Sequence, residues 1–230
     1  MRALIYDVHG NVLALEAVLE DAHAAGANGF LLGGDYGLFG PCPEETVATL
    51  RGLPDATWIR GNVDRWTARR DEAPDDKLIQ AAIDACRQSL AEQVVSELEG
   101  LPEQLAIDGT LYCHGSPISD VRSFMPSAAA DDDELLGGAV ERRVVFGHTH
   151  LQFTRSTASG IELVNPGSAG MPFDGDPRAA YALLADDGLL ELRRVAYDHE
   201  ASAAAVEERY PGAAWAQRSA RRLRRAQMCD

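Results

Sequence analysis

The first eleven residues constrain the fold more than any other stretch. An apolar run, Ala3-Leu4-Ile5-Tyr6, leads into Asp7-Val8-His9-Gly10-Asn11, and helical periodicity begins directly after it. Val12, Leu15, Val18, Leu19 and Ala22 fall on one helical face, with Asn11 placed to cap the helix and Gly26 to end it. A buried strand that passes at once into a helix is a unit of an α/β sheet. It puts Asp7 and His9 at the carboxyl end of a strand, where open sheets hold ligands. Alone, Asp-x-His could equally be a capping carboxylate beside a stray imidazole.

The pattern recurs. Gly29-Phe30-Leu31-Leu32 reads as a second strand ending in Gly33-Gly34-Asp35, and Thr57-Trp58-Ile59-Arg60 as a third ending in Gly61-Asn62-Val63-Asp64. A short helix, Pro43 to Arg51, lies between them. Leu105 to His114 reads as a hairpin turning at Asp108-Gly109, whose second arm delivers His114. Arg143 to Phe146 delivers Gly147-His148-Thr149-His150. Further strands follow at Gln152 to Ser156, Ile161 to Asn165, Ala179 to Ala185 and Leu189 to Val195. The acidic run Asp131 to Glu134 reads as a solvated helix start, where carboxylates suit the dipole.

Two stretches break this rhythm. Residues 66–100 carry helical spacing at Leu78, Ile79, Ala82, Ile83, Cys86 and Leu90, and are expected to form a helical cap inserted over one side of the site. The tail, 198–230, is Ala-rich and helical with a basic end. Both are assigned to a single domain, 1–230, a size that one sizeable core can support. With 46% hydrophobic and 25% charged residues the composition is that of a soluble globular protein. A net charge of −15 argues against a general nucleic-acid binder. The four cysteines show no regular spacing, so no disulfide framework or thiolate zinc site is indicated. No apolar run approaches a membrane span, and the chain enters its first strand without a leader, so a cytoplasmic protein is expected.

Five strand ends therefore carry groups of metal-ligand type: Asp7 with His9, Asp35, Asn62, His114, and His148 with His150. Each has a bland explanation, but the five together share none. Four imidazoles, two carboxylates and an amide exceed the needs of one four-ligand zinc site, whereas two metals sharing a bridging carboxylate would use them all. A mixed imidazole and carboxylate shell suits Mn, Fe, Co, Ni or Zn.

The order D-x-H, GD, GN-x-D, H, GH-x-H resembles the calcineurin-like metallophosphoesterase superfamily, and the Asn165-Pro166-Gly167-Ser168 loop with Asp174-Gly175-Asp176-Pro177-Arg178 is similar to its small bacterial phosphodiesterase branch. The likeness spans about residues 1 to 195 and leaves 66–100 and the tail unexplained. It implies a four-layer α/β/β/α sandwich of two mixed β-sheets, with two divalent metal ions, manganese the leading expectation. Asp7, His9, Asp35 and His150 would hold one ion, and Asp35, Asn62, His114 and His148 the other, with Asp35 as the bridge. The activity implied is a phosphodiesterase or nucleotide phosphohydrolase, in which a metal-bridging hydroxide attacks the phosphorus of a small phosphoester or nucleotide substrate. Asn11 is a candidate substrate contact, and a homo-oligomer is compatible with the composition.

One motif departs from the family. The third reads Gly61-Asn62-Val63-Asp64, where much of the superfamily has a histidine at the position of Val63 that protonates the leaving oxygen. Asp64 and Asn62 are left as the candidate catalytic residues there, with His199 as an outlying alternative. The loss of an acid weighs most on alkoxide leaving groups, since general acid catalysis contributes typically ~10²–10⁴-fold. The opposing reading is a non-catalytic binding or scaffold protein on the same fold, as in retromer-type relatives that lack the same histidine. Val63 favours the scaffold. The complete ligand set favours the enzyme.

Overall fold

A computed structural model describes residues 1–229. Its strands are β1 (Arg2–Ile5), β2 (Gly29–Leu32), β3 (Ala56–Trp58), β4 (Gln104–Ile107), β5 (Thr110–Cys113), β6 (Arg143–Val145), β7 (Phe153–Ser156), β8 (Glu162–Asn165), β9 (Ala179–Leu184) and β10 (Leu190–Val195). They make two five-stranded mixed sheets, ordered β10-β9-β1-β2-β3 and β4-β5-β6-β8-β7. In the first, β1, β2 and β3 are parallel and β9 returns antiparallel to β1. In the second, β5, β6 and β8 are parallel, with β4 and β7 antiparallel at the edges.

The helices are α1 (Val12–Ala24), α2 (Pro43–Arg51), α3 (Asn62–Ala68), α4 (Lys77–Ser89), α5 (Glu92–Glu99), α6 (Asp132–Leu136), α7 (His199–Arg209) and α8 (Ala214–Arg225). Strand alternation decides which layer each side chain joins. Ala3, Ile5, Phe30 and Leu32 turn outward into the large apolar cluster that also takes Leu15 and Val18 of α1. Apart from Ala3, each of these fully buried side chains contributes about 1.5–3 kcal/mol relative to exposure. Leu4, Tyr6 and Leu31 turn the other way, meeting Tyr112, Val145 and Val164 between the sheets. Beyond the second sheet, Leu111, Val144, Phe146 and Leu163 pack on Leu135, Leu136 and Phe124. The result is the expected four-layer sandwich, with a thin outer layer of α6 and its neighbouring loop.

Three local readings shift. The third strand ends at Trp58, and a helix starts inside the polar motif at Asn62. Asp64, third in that helix, accepts the N–H of Gly61 at 2.8 Å, which fixes the helix start. The acidic run does begin α6, yet Asp132 is buried and pairs with Arg155 at 2.8 Å. In residues 66–100, Ala82, Ile83, Cys86, Leu90, Val95 and Leu98 belong to the same apolar cluster as α1, so α4 and α5 are part of the helical layer flanking the first sheet. Among the described residues no helix is long and apolar enough to cross a membrane.

Candidate metal centre

The loops after β1, β2, β3, β5 and β6 meet at one edge of the sandwich. Nine non-glycine residues among those described have positive φ, and five belong to the predicted ligand set: Asp7 (55°), His9 (49°), Asp35 (60°), His148 (64°) and His150 (59°). Such left-handed backbone is costly for a side-chain-bearing residue and persists where surrounding bonds over-determine it. Here the loops are laced together: His9 N–H donates to Asp35 O (2.9 Å), Gly10 N–H to Tyr36 O (2.7 Å) and Gly147 N–H to His114 O (2.8 Å). The packing leaves no room for a Cβ at Gly61, where it would lie 2.1 Å from Asp35 Oδ1.

All seven predicted ligand residues converge. Asp35 reaches both halves of the cluster, with Oδ2 3.7 Å from His9 Nε2 and Oδ1 3.3 Å from His114 Nε2. Asp7 Oδ1 lies 3.6 Å from His150 Nε2 and 3.8 Å from His114 Nε2. Donor atoms of Asp7, His9 and His150 lie within 4.8 Å of one another, as do those of Asp7, Asp35 and His114. Asn62 Oδ1 faces His114 Nε2 at 3.0 Å and His148 Nδ1 at 2.9 Å. Oxygen inward suits a cation; turned over, the amide would donate to both rings and to Asp120 O.

Backbone carbonyls orient the imidazoles. Nδ1 of His9 faces Leu38 O (2.9 Å), that of His114 faces Gly33 O (2.8 Å), and that of His150 faces Met171 O (2.6 Å). Each Nδ1 therefore carries a proton, which at His9 and His150 leaves Nε2 pointing inward as a lone pair. Burial lowers the pKa of His9, of His150 and of His148, the last to about 4, so these rings are neutral. Consequently the Nε2 atoms of His9 and His150, 3.0 Å apart, present two lone pairs to each other. A cation reconciles them. Burial also opposes a charged His114, but Asp35 and Asp7 hold it up to about 10. No lysine or arginine is among the seven residues, so the donor set fits divalent metal.

Other predicted residues fall outside the ligand cluster. Asn11, expected as a substrate contact, is buried and fully occupied by the fold: its Oδ1 accepts from Ala14 N–H (3.3 Å) and Ser202 Oγ–H (2.8 Å), and its Nδ2 donates to Gly170 O (2.7 Å) and Tyr197 Oη (3.2 Å). It caps α1 and ties that end to the C-terminal helices, which corrects the substrate assignment. Asp64 stands behind the cluster, where Oδ2 accepts from Asp35 N–H and Gly61 N–H and Oδ1 from Tyr36 N–H. It positions the loops. His199 opens α7, against Tyr197. Val63 is 2% exposed and belongs to the large apolar cluster.

Sequence reasoning missed the supports. Ser168 Oγ donates to Asp7 O (2.7 Å) and Asn165 Nδ2 to Gly147 O (2.9 Å), so the Asn165-Pro166-Gly167-Ser168 loop braces two ligand loops. The motif was visible, and its role was not. Phe173 stacks on His150 with centroids 4.4 Å apart and planes 14° from parallel, which no spacing in the sequence signals.

Residues 1–187 match the model of the calcineurin-like phosphoesterase superfamily domain. The chain belongs to this superfamily. Calcineurin-like phosphoesterases are broadly metal-dependent hydrolases, and the cluster above fits that class. The chain is 27% identical over 219 residues to an uncharacterized protein of Methanocaldococcus jannaschii, covering 86% of this chain and 88% of that one. It is similar to a metallophosphoesterase from Sphaerobacter thermophilus, with a TM-score of 0.80, 26% identity and coverage of 98% of each chain. A hypothetical protein from Pyrococcus horikoshii shares the fold at a TM-score of 0.85 and 19% identity, over 100% of both chains. The structural likeness thus extends beyond the motifs to nearly the whole chain, residues 66–100 and the C-terminal tail included.

Proposed function

We propose that this phosphoesterase uses a dinuclear centre to cleave phosphodiesters or nucleotide-type phosphoesters. The observation that carries the reading is the pair of inward lone pairs on His9 and His150, 3.0 Å apart, inside a cluster of seven buried or half-buried donors. Asp7, His9, Asp35 and His150 would hold one ion, and Asp35, Asn62, His114 and His148 the second. When bound, two divalent ions, manganese foremost, supply Lewis-acid polarisation of phosphoryl oxygens and a water acidic enough to act near neutrality.

The chain's own residues do the rest. The carbonyls of Leu38, Gly33 and Met171 fix the orientation of three imidazoles, so the rings need not turn when a substrate arrives. Asp35 turns one oxygen towards each half of the cluster, so it would be the carboxylate shared between two ions. Val63 offers no proton to a departing oxygen, and its side chain is taken up by the apolar cluster. Substrates whose leaving group departs as a stable anion, such as a nucleotide phosphate or an activated phenol, are therefore favoured over alkyl monoesters.

The test is hydrolysis of an activated phosphodiester and its matching monoester by metal-stripped protein, before and after addition of manganese, with His114→Ala as control. Manganese-dependent diester cleavage, absent in the variant, is the expected result. Metal binding without turnover under any divalent ion would replace the enzyme with a binding protein on the same fold.

A further inference from the structure

The converging residues are not equally covered. Asp7, His9, Asp35, Asn62, His114 and His150 are at most 5% exposed, whereas His148 is half-buried. Of the seven, His148 is thus the one most open to solvent. That imidazole is also a wall of an open groove of about 410 Å³, which it shares with Val121, Met125, Leu151, Phe173 and Met228. Val121, Met125 and Met228 are 44%, 48% and 65% exposed, and they meet here from two segments about a hundred residues apart. Exposed apolar side chains gathered at the mouth of a polar site mark a binding surface rather than chance scatter.

We infer that this groove binds a flat aromatic substituent of the phosphoester, a nucleobase or an aryl ring, while the phosphate is held at the ligand cluster. The inference rests on the phosphoesterase reading above. Continuity carries it: His148 meets Asn62 at 2.9 Å on one side and lines the groove on the other, so one molecule can span both. The lining suits a ring. Methionine thioethers mould to irregular shapes and make favourable contacts with aromatic edges. Phe173 is held in place by stacking on His150, with the Arg222 guanidinium 5.7 Å from its ring centre. Met228, which lines the groove, and Arg222, which lies against Phe173, are both beyond residue 187, so part of this wall comes from outside the matched family domain.

The test uses two phosphonates that cannot be hydrolysed, phenylphosphonate and methylphosphonate, titrated by calorimetry into manganese-loaded protein. The phenyl compound is expected to bind about tenfold or more tightly than the methyl compound, from burial of the ring. The double variant Met125→Ser/Met228→Ser is expected to remove most of that ratio, whereas Val140→Ser, exposed elsewhere, leaves it in place. Equal affinities in the parent protein would overturn the inference and leave the phosphate centre standing, with a second copy of the chain as the next occupant to try. Failure of both compounds to bind would overturn the phosphoesterase reading itself, and the inference with it.

Discussion

Asp64 Oδ2 accepts the backbone N–H of Asp35 at 2.8 Å, so a carboxylate in the first turn of α3 holds the main chain of a carboxylate in the ligand cluster. The same oxygen takes Gly61 N–H, and Oδ1 takes Tyr36 N–H at 3.0 Å. Burial and the charge of Asp35 push Asp64 up to about 7, against the pull of these three amides. Asp64→Ala leaves all three buried donors without a partner and is expected to cost about 2–4 kcal/mol. Denaturant unfolding measures that loss, and metal analysis should find the ions held more weakly. If Asp64 were instead a proton donor, Asp64→Asn would cut turnover while stability and metal content stayed at parent levels.

Asp35 is the residue whose two oxygens face both halves of the cluster, towards His9 and towards His114. Asp35→Asn keeps the shape and removes the charge. With the bridge gone, both ions should be weakened together, and metal analysis after dialysis is expected to find fewer than one per chain. Retention of one tightly held ion would mean that the two halves are not joined through this carboxylate.

Legibility in the sequence followed the physics of each feature. The strand ends could be read because short apolar runs, glycine and a polar residue form a local pattern. The lateral order of β8 between β6 and β7 could not, because pairing partners far apart leave no local trace. Side-chain ligands were readable by type and spacing. The carbonyls of Leu38 and Met171, which set the tautomers, were not, since a carbonyl is common to every residue. Asn11 was read in two ways, as helix cap and as substrate contact; burial decided for the cap, because its side chain is committed to Ala14, Ser202, Gly170 and Tyr197.

Val63 shows why a missing acid is not restored by writing it back. The side chain is 2% exposed in the apolar cluster that also holds Cys86 and Leu90, and its N–H donates to Asp35 Oδ1 at 3.0 Å. A histidine there buries a polar ring without a partner, at a cost of about 1–3 kcal/mol. Val63→His is therefore expected to lower the unfolding midpoint and to give no selective gain on alkyl monoesters. A selective rise in monoester turnover, with diester turnover unchanged, would mean that the imidazole reaches the leaving oxygen after all.

Asp21 joins α1 to the edge of the first sheet. It accepts from Arg193 through both oxygens, each at 3.0 Å, and from the Tyr181 hydroxyl. The hydrogen bond from Arg193, then that from Tyr181, holds its carboxyl below the usual value. The folded-state pKa thus lies under the unfolded value of about 3.9, so the contribution is fully present above roughly pH 5 and lost as pH falls through the folded pKa. Side-chain exposure of 28% weakens the pair, and solvent screening leaves about 0.5–1 kcal/mol. Asp21→Asn should cost that amount at pH 7 and nothing measurable near pH 2, in paired denaturation curves. A penalty of equal size at both pH values would assign the role of Asp21 to packing, since a neutral amide would then fail for reasons unrelated to charge.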